Sequence, residues 1–363
     1  MFKKVGAVLL AVVMAFSMTA CSGKDTAWVM EVDGEQLPAG VYLGYMVDAF
    51  SQAYNHEDVK IEKPKDIWNQ KIDDKDIETW VKDKTKDLCK QYIAINKWFD
   101  ELKLSLDESD NNKIETQVSS VWSQMGSLYE ENGAGQKSVR KIVETNFKSQ
   151  KVFKSLYGVG GSEGVTQENV DNFFYENYAF IKMISLPTKG FDGSDLNETQ
   201  KKEVTDAGNK LVERVTGGES MDDVITAYKT EYTNKRNEYL ASKDTTSSFT
   251  ATPFSEDKED KERNDVLLYK ESQSYEEAVM KDIFAMEKDA VKLITGEKGT
   301  YVVQKLDIKD KSDQIKDYTD SILNHMKGDE FTELLEKRTA EVKPTYNEKA
   351  VKRYSPKNID VEG

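Results

Sequence analysis

Apolar positions along this chain recur mostly at helical intervals, with short alternating runs between them. Trp28, Met30 and Val32 alternate with period two ahead of Asp33-Gly34, which predicts a short strand entering a hairpin-type turn. Pro38 opens a helix at a position where its missing N–H costs little. Val41, Tyr42, Tyr45, Met46, Ala49, Phe50 and Ala53 form the stripe of that helix, and the polar stretch from His56 to Lys65 predicts a loop. A long helix is expected from about Asp74 to Lys103, with Ile77, Val81, Leu88, Tyr92, Ile95, Phe99 and Leu102 on one face. Leu104-Ser105-Leu106-Asp107 breaks it, and Asp107 or Ser109 suits the next cap. The helix that follows carries Ile114, Val118, Val121, Trp122, Met125 and Tyr129, and stops at Asn132-Gly133-Ala134-Gly135. A third covers about Gln136–Leu156. Gly158-Val159-Gly160-Gly161 is then the clearest break in the chain.

Beyond that break the pattern changes. Thr166-Gln167-Glu168 caps a short helix through Phe173, Phe174, Tyr175 and Tyr178. Ala179–Leu186 is strand-like and ends at Pro187. Glu198–Thr216 is an amphipathic helix closed by Gly217-Gly218, and Met221–Glu231 is a short one. Ala241–Asp265, rich in Ser, Thr and charge with isolated Phe249 and Phe254, predicts a long exposed loop. Tyr275–Met286 is helical again. Ala290–Ile294 and Thr300–Ile308 are strand-like runs on either side of Gly296-Glu297-Lys298-Gly299. A long helix is expected over Asp313–Ala340 and a short strand over Val342–Tyr346, before a polar end that is expected to fray. The fold class is therefore α+β and mostly helical, with no repeat at solenoid periods.

Composition narrows what such a chain does. Its 363 residues suffice for two or three domains. A mean hydropathy of −0.68 excludes a polytopic membrane protein, since the one long apolar run lies at the start. With 14 Phe, 17 Tyr and 5 Trp, the chain is too aromatic to be disordered. A net charge of −15 disfavours a phosphate backbone, so no nucleic-acid partner is expected. Only His56, His325, Cys21 and Cys89 offer soft ligands or a Cys–His pair, and none sit at ligand spacing; no metal or cofactor is expected. Cys89 reads as a small buried hydrophobe, and His56 and His325 as surface residues. Asp73-Asp74 with Asp76 hints at cation binding, but no Gly holds the turn and no Glu closes a calcium loop.

The first twenty residues read as an address. Lys3 and Lys4 precede an apolar run from Val5 to Phe16, then Ser17-Met18-Thr19-Ala20-Cys21. Ala20-Cys21 resembles a bacterial lipobox, with Met18 where Leu is usual. That resemblance implies cleavage before Cys21, diacylation of its thiol, and anchoring by acyl chains. Residues 1–20 are then the lipoprotein signal peptide and 21–27 a lipidated tether. The alternative is an ordinary signal peptide with a chance cysteine. Removing residues 1–20 takes away two lysines and no acid, so the charge becomes −17. Cys89 would be left without a disulfide partner. Asn197-Glu198-Thr199 matches a glycosylation sequon, which has no clear meaning in a bacterial lipoprotein.

Several segments, in this order, resemble the SurA/PrsA type of extracytoplasmic foldase. Val29-Met30-Glu31-Val32-Asp33-Gly34-Glu35 is similar to the family's opening strand. Leu104-Ser105-Leu106-Asp107-Glu108 is similar to the motif after its long helix. Val165-Thr166-Gln167-Glu168-Asn169-Val170 with Tyr175-Glu176-Asn177 resembles the entry into a parvulin-type isomerase domain. Gly218–Val224, Glu287–Val291 and Gly299–Leu306 resemble later parts of that domain. The resemblance implies a helical chaperone domain built from residues 28–165 and a C-terminal segment, 309–363. A parvulin-like α/β domain, 166–308, would be inserted between them.

That inserted domain is degenerate. Met183 stands at the first family His and Tyr301 at the second, and Thr245–Asp265 occupies the place of the "G-G-D-L-G" loop. No His exists between His56 and His325, so no shift of alignment restores the pair. The family's His pair shapes a hydrogen-bonded pocket around the twisted prolyl amide; without it no catalytic residue is assigned. The resemblance implies a membrane-anchored chaperone on the extracytoplasmic face of a bacterial membrane, acting without ATP on unfolded or newly exported polypeptides. Tyr42, Tyr45, Met46, Trp122, Met125 and Tyr129 are candidate groove residues, but each taken singly reads more readily as core, so no binding site is assigned. Two alternatives stay open: an active parvulin-type prolyl isomerase with unusual pocket residues, and a solute-binding lipoprotein of a transporter. The latter needs two α/β lobes. Whether the helix over 313–340 packs on the first 160 residues discriminates between these architectures.

Overall fold

A computed structural model describes residues 26–61, 63–243 and 264–359. The signal segment 1–20, Cys21 and most of the tether lie outside these residues, as does nearly all of the expected loop at 241–265. The chain divides into two compact units. One joins the chain up to Val165 with the chain from Lys327; the other is Thr166–Met326.

The first unit begins with a hairpin. Strands β1 (Trp28–Val32) and β2 (Glu35–Pro38) pair antiparallel around Asp33-Gly34. Both turn residues have positive φ, 52° and 84°, as a two-residue hairpin turn requires. Helix α1 (Ala39–Tyr54) follows at once. Its expected stripe is buried, and so are Leu43, Gly44 and Val47 outside that stripe, because α1 is the central helix of the unit. Gly44 allows a close approach there: a Cβ would meet Ile142 Cδ1 at 2.7 Å. The expected loop after α1 leads into a 3-10 turn (Pro64–Asn69), and a second hairpin follows, β3 (Lys71–Ile72) with β4 (Lys75–Asp76). Asp73 and Asp74 have φ of 51° and 62°, so this acidic pair forms a hairpin turn, where short polar side chains tolerate the left-handed region. Among the described residues no acidic cluster is arranged to hold a metal.

Three long helices wrap α1. Helix α2 (Ile77–Glu101) starts three residues later than its periodicity suggests, because Asp76 caps it by accepting from Thr79 N at 2.9 Å. Helix α3 (Glu108–Glu131) opens on a reciprocal capping box between Asp107 and Asp110, and α4 (Gln136–Tyr157) follows its Gly-rich break.

The second unit is built on a four-stranded antiparallel sheet, in the spatial order Asp265–Tyr269, Tyr178–Ser185, Thr300–Lys305 and Val291–Thr295, covered on both faces. Helix α5 (Gln167–Asn177), boxed by Thr166 and Asn169, leads into β5 (Tyr178–Ser185). Next come α6 (Glu198–Thr216), whose cap is the sequon's Asn197, and α7 (Met221–Lys243). Then follow β6 (Asp265–Tyr269), α8 (Glu277–Phe284), β7 (Val291–Thr295) and β8 (Thr300–Lys305). On one sheet face Ile181, Leu268, Ile294 and Val303 pack with Val279, Met280 and Ile283 of α8. On the other, Ile184 and Val302 pack with Leu211 and Val215 of α6 and Met221, Val224 and Ile225 of α7.

Two elements differ from expectation here. The helix at Met221 runs on to Lys243 rather than ending near Glu231. Past Tyr228 it has left the core, so no apolar stripe marks it. It is held instead by pairs such as Lys235–Glu231 and by Tyr232 and Tyr239 against Phe191. Strand β6 begins where the expected loop ends, in a stretch before Tyr275 for which no element was expected. Its backbone partner, Tyr178–Lys182, is remote in sequence, and Val266-Leu267-Leu268 does not alternate.

Helix α9 (Ile315–Glu341) carries the return of the chain, after a 3-10 turn at Ile308–Gln314. The second unit boundary falls inside α9, after Met326, and not at the expected 308/309. Ile315, Ile322 and Leu323 are buried within the second unit. From Lys327 onward α9 belongs to the first unit, where Phe331 stacks on Trp98 (5.6 Å, 15°) and meets Phe153 edge-on (5.4 Å, 87°). Arg338 lies 4.3 Å over the Trp98 ring and bonds Glu101 at 2.7 Å. Strand β9 (Thr345–Tyr346) then pairs with β1, giving the order β2-β1-β9.

The polar end does not fray within the described residues. Asn347 caps α10 (Glu348–Arg353) and donates to Trp28 O at 3.1 Å. Tyr354 Oη donates to Thr26 O at 2.9 Å, and Lys357 pairs with Glu78 at 3.0 Å. Ala350, Pro356 and Ile359 are the buried anchors of this segment, with Val351 and Tyr354 packed beside Ala350 on the same core.

Candidate functional site

The register of β5 and β8 sets Met183 opposite Val303 and Ser185 opposite Tyr301. Directly opposed residues of an antiparallel pair share a face. Met183 and Tyr301 are therefore diagonal neighbours on one face, at a spacing of about 7–8 Å. Each is half-buried against the cluster of Ile181, Val279, Met280, Ile283 and Val303. The Tyr301 ring stands edge-on to Tyr275 (5.5 Å, 75°) and lies over Gly299, where a Cβ would come within 2.4 Å of its hydroxyl.

This face brings together the two positions that the sequence singled out, and fills them with a thioether and a phenol. The titratable groups beside them serve the backbone. Lys305 donates to Phe284 O at 2.9 Å and Met286 O at 2.7 Å, and burial holds its pKa below the ordinary lysine value. Glu276 accepts from Glu297 N at 2.7 Å and Lys298 N at 2.6 Å, which fixes the β7–β8 turn. Such a surface can take up an apolar side chain. With no imidazole on the sheet, it offers no paired ring nitrogens to polarise an amide.

His325 sits elsewhere in the second unit. Its ring stacks on Tyr269 (3.8 Å, 3°), and its Nδ1 shares a 2.5 Å hydrogen bond with Tyr178 Oη. One side is exposed, as expected of a surface residue, while the other joins an aromatic group with Phe173 and Phe174. Burial lowers the His325 pKa from its ordinary value and pushes Tyr178 up to about 12. His56 is half-buried, edge-on to Trp80 at 6.2 Å.

The candidate groove residues separate sharply. Tyr42, Tyr45, Met46 and Tyr129 belong to the core of the first unit, so their surfaces are closed to any client; only Trp122 and Met125 remain half-buried at its edge. Cys89 is also core, free of any disulfide, and burial pushes its thiol well above the ordinary value. Tyr129 Oη donates to Asp48 Oδ1 at 2.5 Å.

Burial raises the Asp48 carboxyl, and the Tyr129 bond only partly opposes this. A carboxyl raised in the folded state lends stability that is fully present below its unfolded pKa, about 3.9. That stability is lost as pH rises through the folded value. Asp48→Asn keeps an acceptor for Tyr129 and removes the charge. At pH 7 it is expected to gain on the order of 1 kcal/mol, read as about 2–4 °C in Tm. The gain should vanish near pH 3, and a Tm below the parent's at pH 7 would contradict the assignment.

One polar constellation escaped the sequence reading. On the opposite sheet face Lys182 bonds Asp222 of α7 and lies 3.3 Å from Asp265 of β6, which also pairs with Lys311. The available signal was a lysine between Ile181 and Met183 in an otherwise apolar strand.

Comparison with known proteins places several foldase structures beside this chain. It is similar to the foldase protein PrsA from Streptococcus pneumoniae str. Canada MDR_19A, with 16% identity, 81% of this chain and 94% of that chain covered, and a TM-score of 0.35. It is similar to PrsA from Bacillus subtilis, with 16% identity, 81% and 93% covered, and a TM-score of 0.28. It is also similar to the foldase protein PrsA from Lactococcus lactis, with 13% identity, 92% and 99% covered, and a TM-score of 0.34. No family model and no curated protein matches the chain.

Proposed function

We propose that this chain is an extracytoplasmic chaperone of the SurA/PrsA type, held at the membrane by acyl chains on Cys21. It binds unfolded exported polypeptides without ATP and does not catalyse prolyl isomerisation. The observation that carries this reading is the discontinuous helical unit. Phe331, from the end of the chain, packs against Trp98 and Phe153, while Thr166–Met326 folds around its own sheet. A chain that leaves and re-enters one helical unit fits the foldase layout. A solute-binding lipoprotein would need two α/β lobes with crossover connections. Among the described residues the second unit has a single four-stranded antiparallel sheet, and the first unit's sheets hold three and two strands.

Loss of isomerase activity follows from Met183 and Tyr301 in place of imidazoles. Two assays on the full mature chain test the pair of claims. Aggregation of a denatured client should fall as the chain is added, with no nucleotide present. The isomerisation of a proline-containing tetrapeptide should keep its uncatalysed time constant of tens to hundreds of seconds. Clear acceleration that is lost in Tyr301→Phe would replace the chaperone reading with the active-isomerase one. Lipidation has its own test: mass spectrometry of the membrane-extracted protein should find a diacylglyceryl adduct on Cys21, absent from Cys21→Ser.

A further inference from the structure

Residues 343–357 are basic within an acidic chain. Lys343, Lys349, Lys352, Arg353 and Lys357 stand against Glu348 alone, while the whole chain carries −15. All five cations are exposed. This segment is fixed where the described chain begins. Tyr354 Oη donates to Thr26 O, Asn347 to Trp28 O, and β9 closes the sheet on β1. Thr26 lies five residues after Cys21, a span of at most about 17 Å at full extension. The cations of α10 are thus tied to the residues nearest the proposed anchor.

We propose that this basic face docks on a membrane surface of anionic phospholipid. The inference rests on the Cys21 anchor of the preceding reading and adds an orientation to it. Acyl chains hold a protein near a bilayer without setting which side faces it, and a polybasic patch supplies a second, electrostatic attachment. Here the remainder of the chain is repelled by anionic headgroups and the 343–357 segment is attracted. The resulting torque turns this end of the first unit toward the membrane. Nearby acids temper the attraction. Glu78 is engaged by Lys357, with Lys82 beside it, and Asp87 lies near Tyr346. Asp360 and Glu362 follow in the sequence, outside the described residues.

The test uses the full mature chain with Cys21→Ser, so that no acyl chain contributes. Cosedimentation with phosphatidylglycerol-containing vesicles should exceed that with pure phosphatidylcholine. The difference should disappear at 1 M salt, where the Debye length is about 3 Å. Lys349→Glu, Lys352→Glu and Arg353→Glu together should weaken the anionic binding about tenfold or more. The matching Gln substitutions, which leave a helix-compatible neutral surface, should fall between. An unchanged circular-dichroism melt for the Gln variant guards against unfolding of α10. Equal binding to both vesicle types, or no loss on charge reversal, overturns the proposal. The two readings fail separately. An unacylated Cys21 with intact anionic binding removes the anchor and keeps the docking face. An acylated Cys21 without lipid preference does the reverse.

Discussion

Trp98→Ala is expected to destabilise the first unit by about 3–5 kcal/mol, the usual cost of removing a buried large aromatic. Trp98 is only 4% exposed. It is one of two rings that receive Phe331, and the Arg338 guanidinium covers it as well. Its loss leaves a cavity and also removes the main partner of α9 after Lys327. The consequence is local before it is general. Hydrogen exchange should show amides of residues 329–341 losing protection, while those of β5 and β8 keep theirs. Phe331→Leu retains much of the apolar area and should cost about 1 kcal/mol. Protection at 329–341 that survives Trp98→Ala would mean that the returning helix is held by something other than this aromatic contact.

The second large effect lies in the other unit. Lys182→Met is expected to cost about 3 kcal/mol, because it strands carboxylates that are largely withdrawn from water. The Lys182 side chain is 15% exposed, with Asp222 at 29% and Asp265 at 18%. Asp265 keeps Lys311 as a partner, whereas among the described residues Lys182 is the cation paired with Asp222. Adding Asp222→Asn to Lys182→Met should therefore recover part of the loss, making the double variant more stable than the single one. Denaturant unfolding of the parent, both single variants and the double variant provides the cycle. A cost below about 0.5 kcal/mol for Lys182→Met would place these charges with ordinary surface pairs.

Elements set by neighbouring residues were legible in the sequence. Helix α6 was legible to the residue, since Asn197 and Gln200 form a capping box and Gly217-Gly218 ends the stripe. Asp33-Gly34 announced its hairpin for an equally local reason, the positive φ at both turn positions. The candidate site was legible as two positions, Met183 and Tyr301. Their adjacency was not, because it depends on a register between strands more than a hundred residues apart. Tyr42 and Trp122 illustrate the opposite limit. Both lie on apolar helical stripes, yet one is fully enclosed and the other half-covered.

By itself the sequence determined the helical periods, their caps and stops, and the absence of any imidazole between His56 and His325. It also carried the signal-like start with Cys21. These features are set by neighbours within a turn or two of the chain, or by composition alone. Tertiary structure decided which stripes became core, that α7 continues past its last buried residue, and that β6 is a strand. It also decided that α9 is shared between units and that residues 347–359 dock on β1 and α2. An apolar period reports that a face is covered, not what covers it. The covering partners, and the strands that complete each hydrogen-bond ladder, lie far away in sequence.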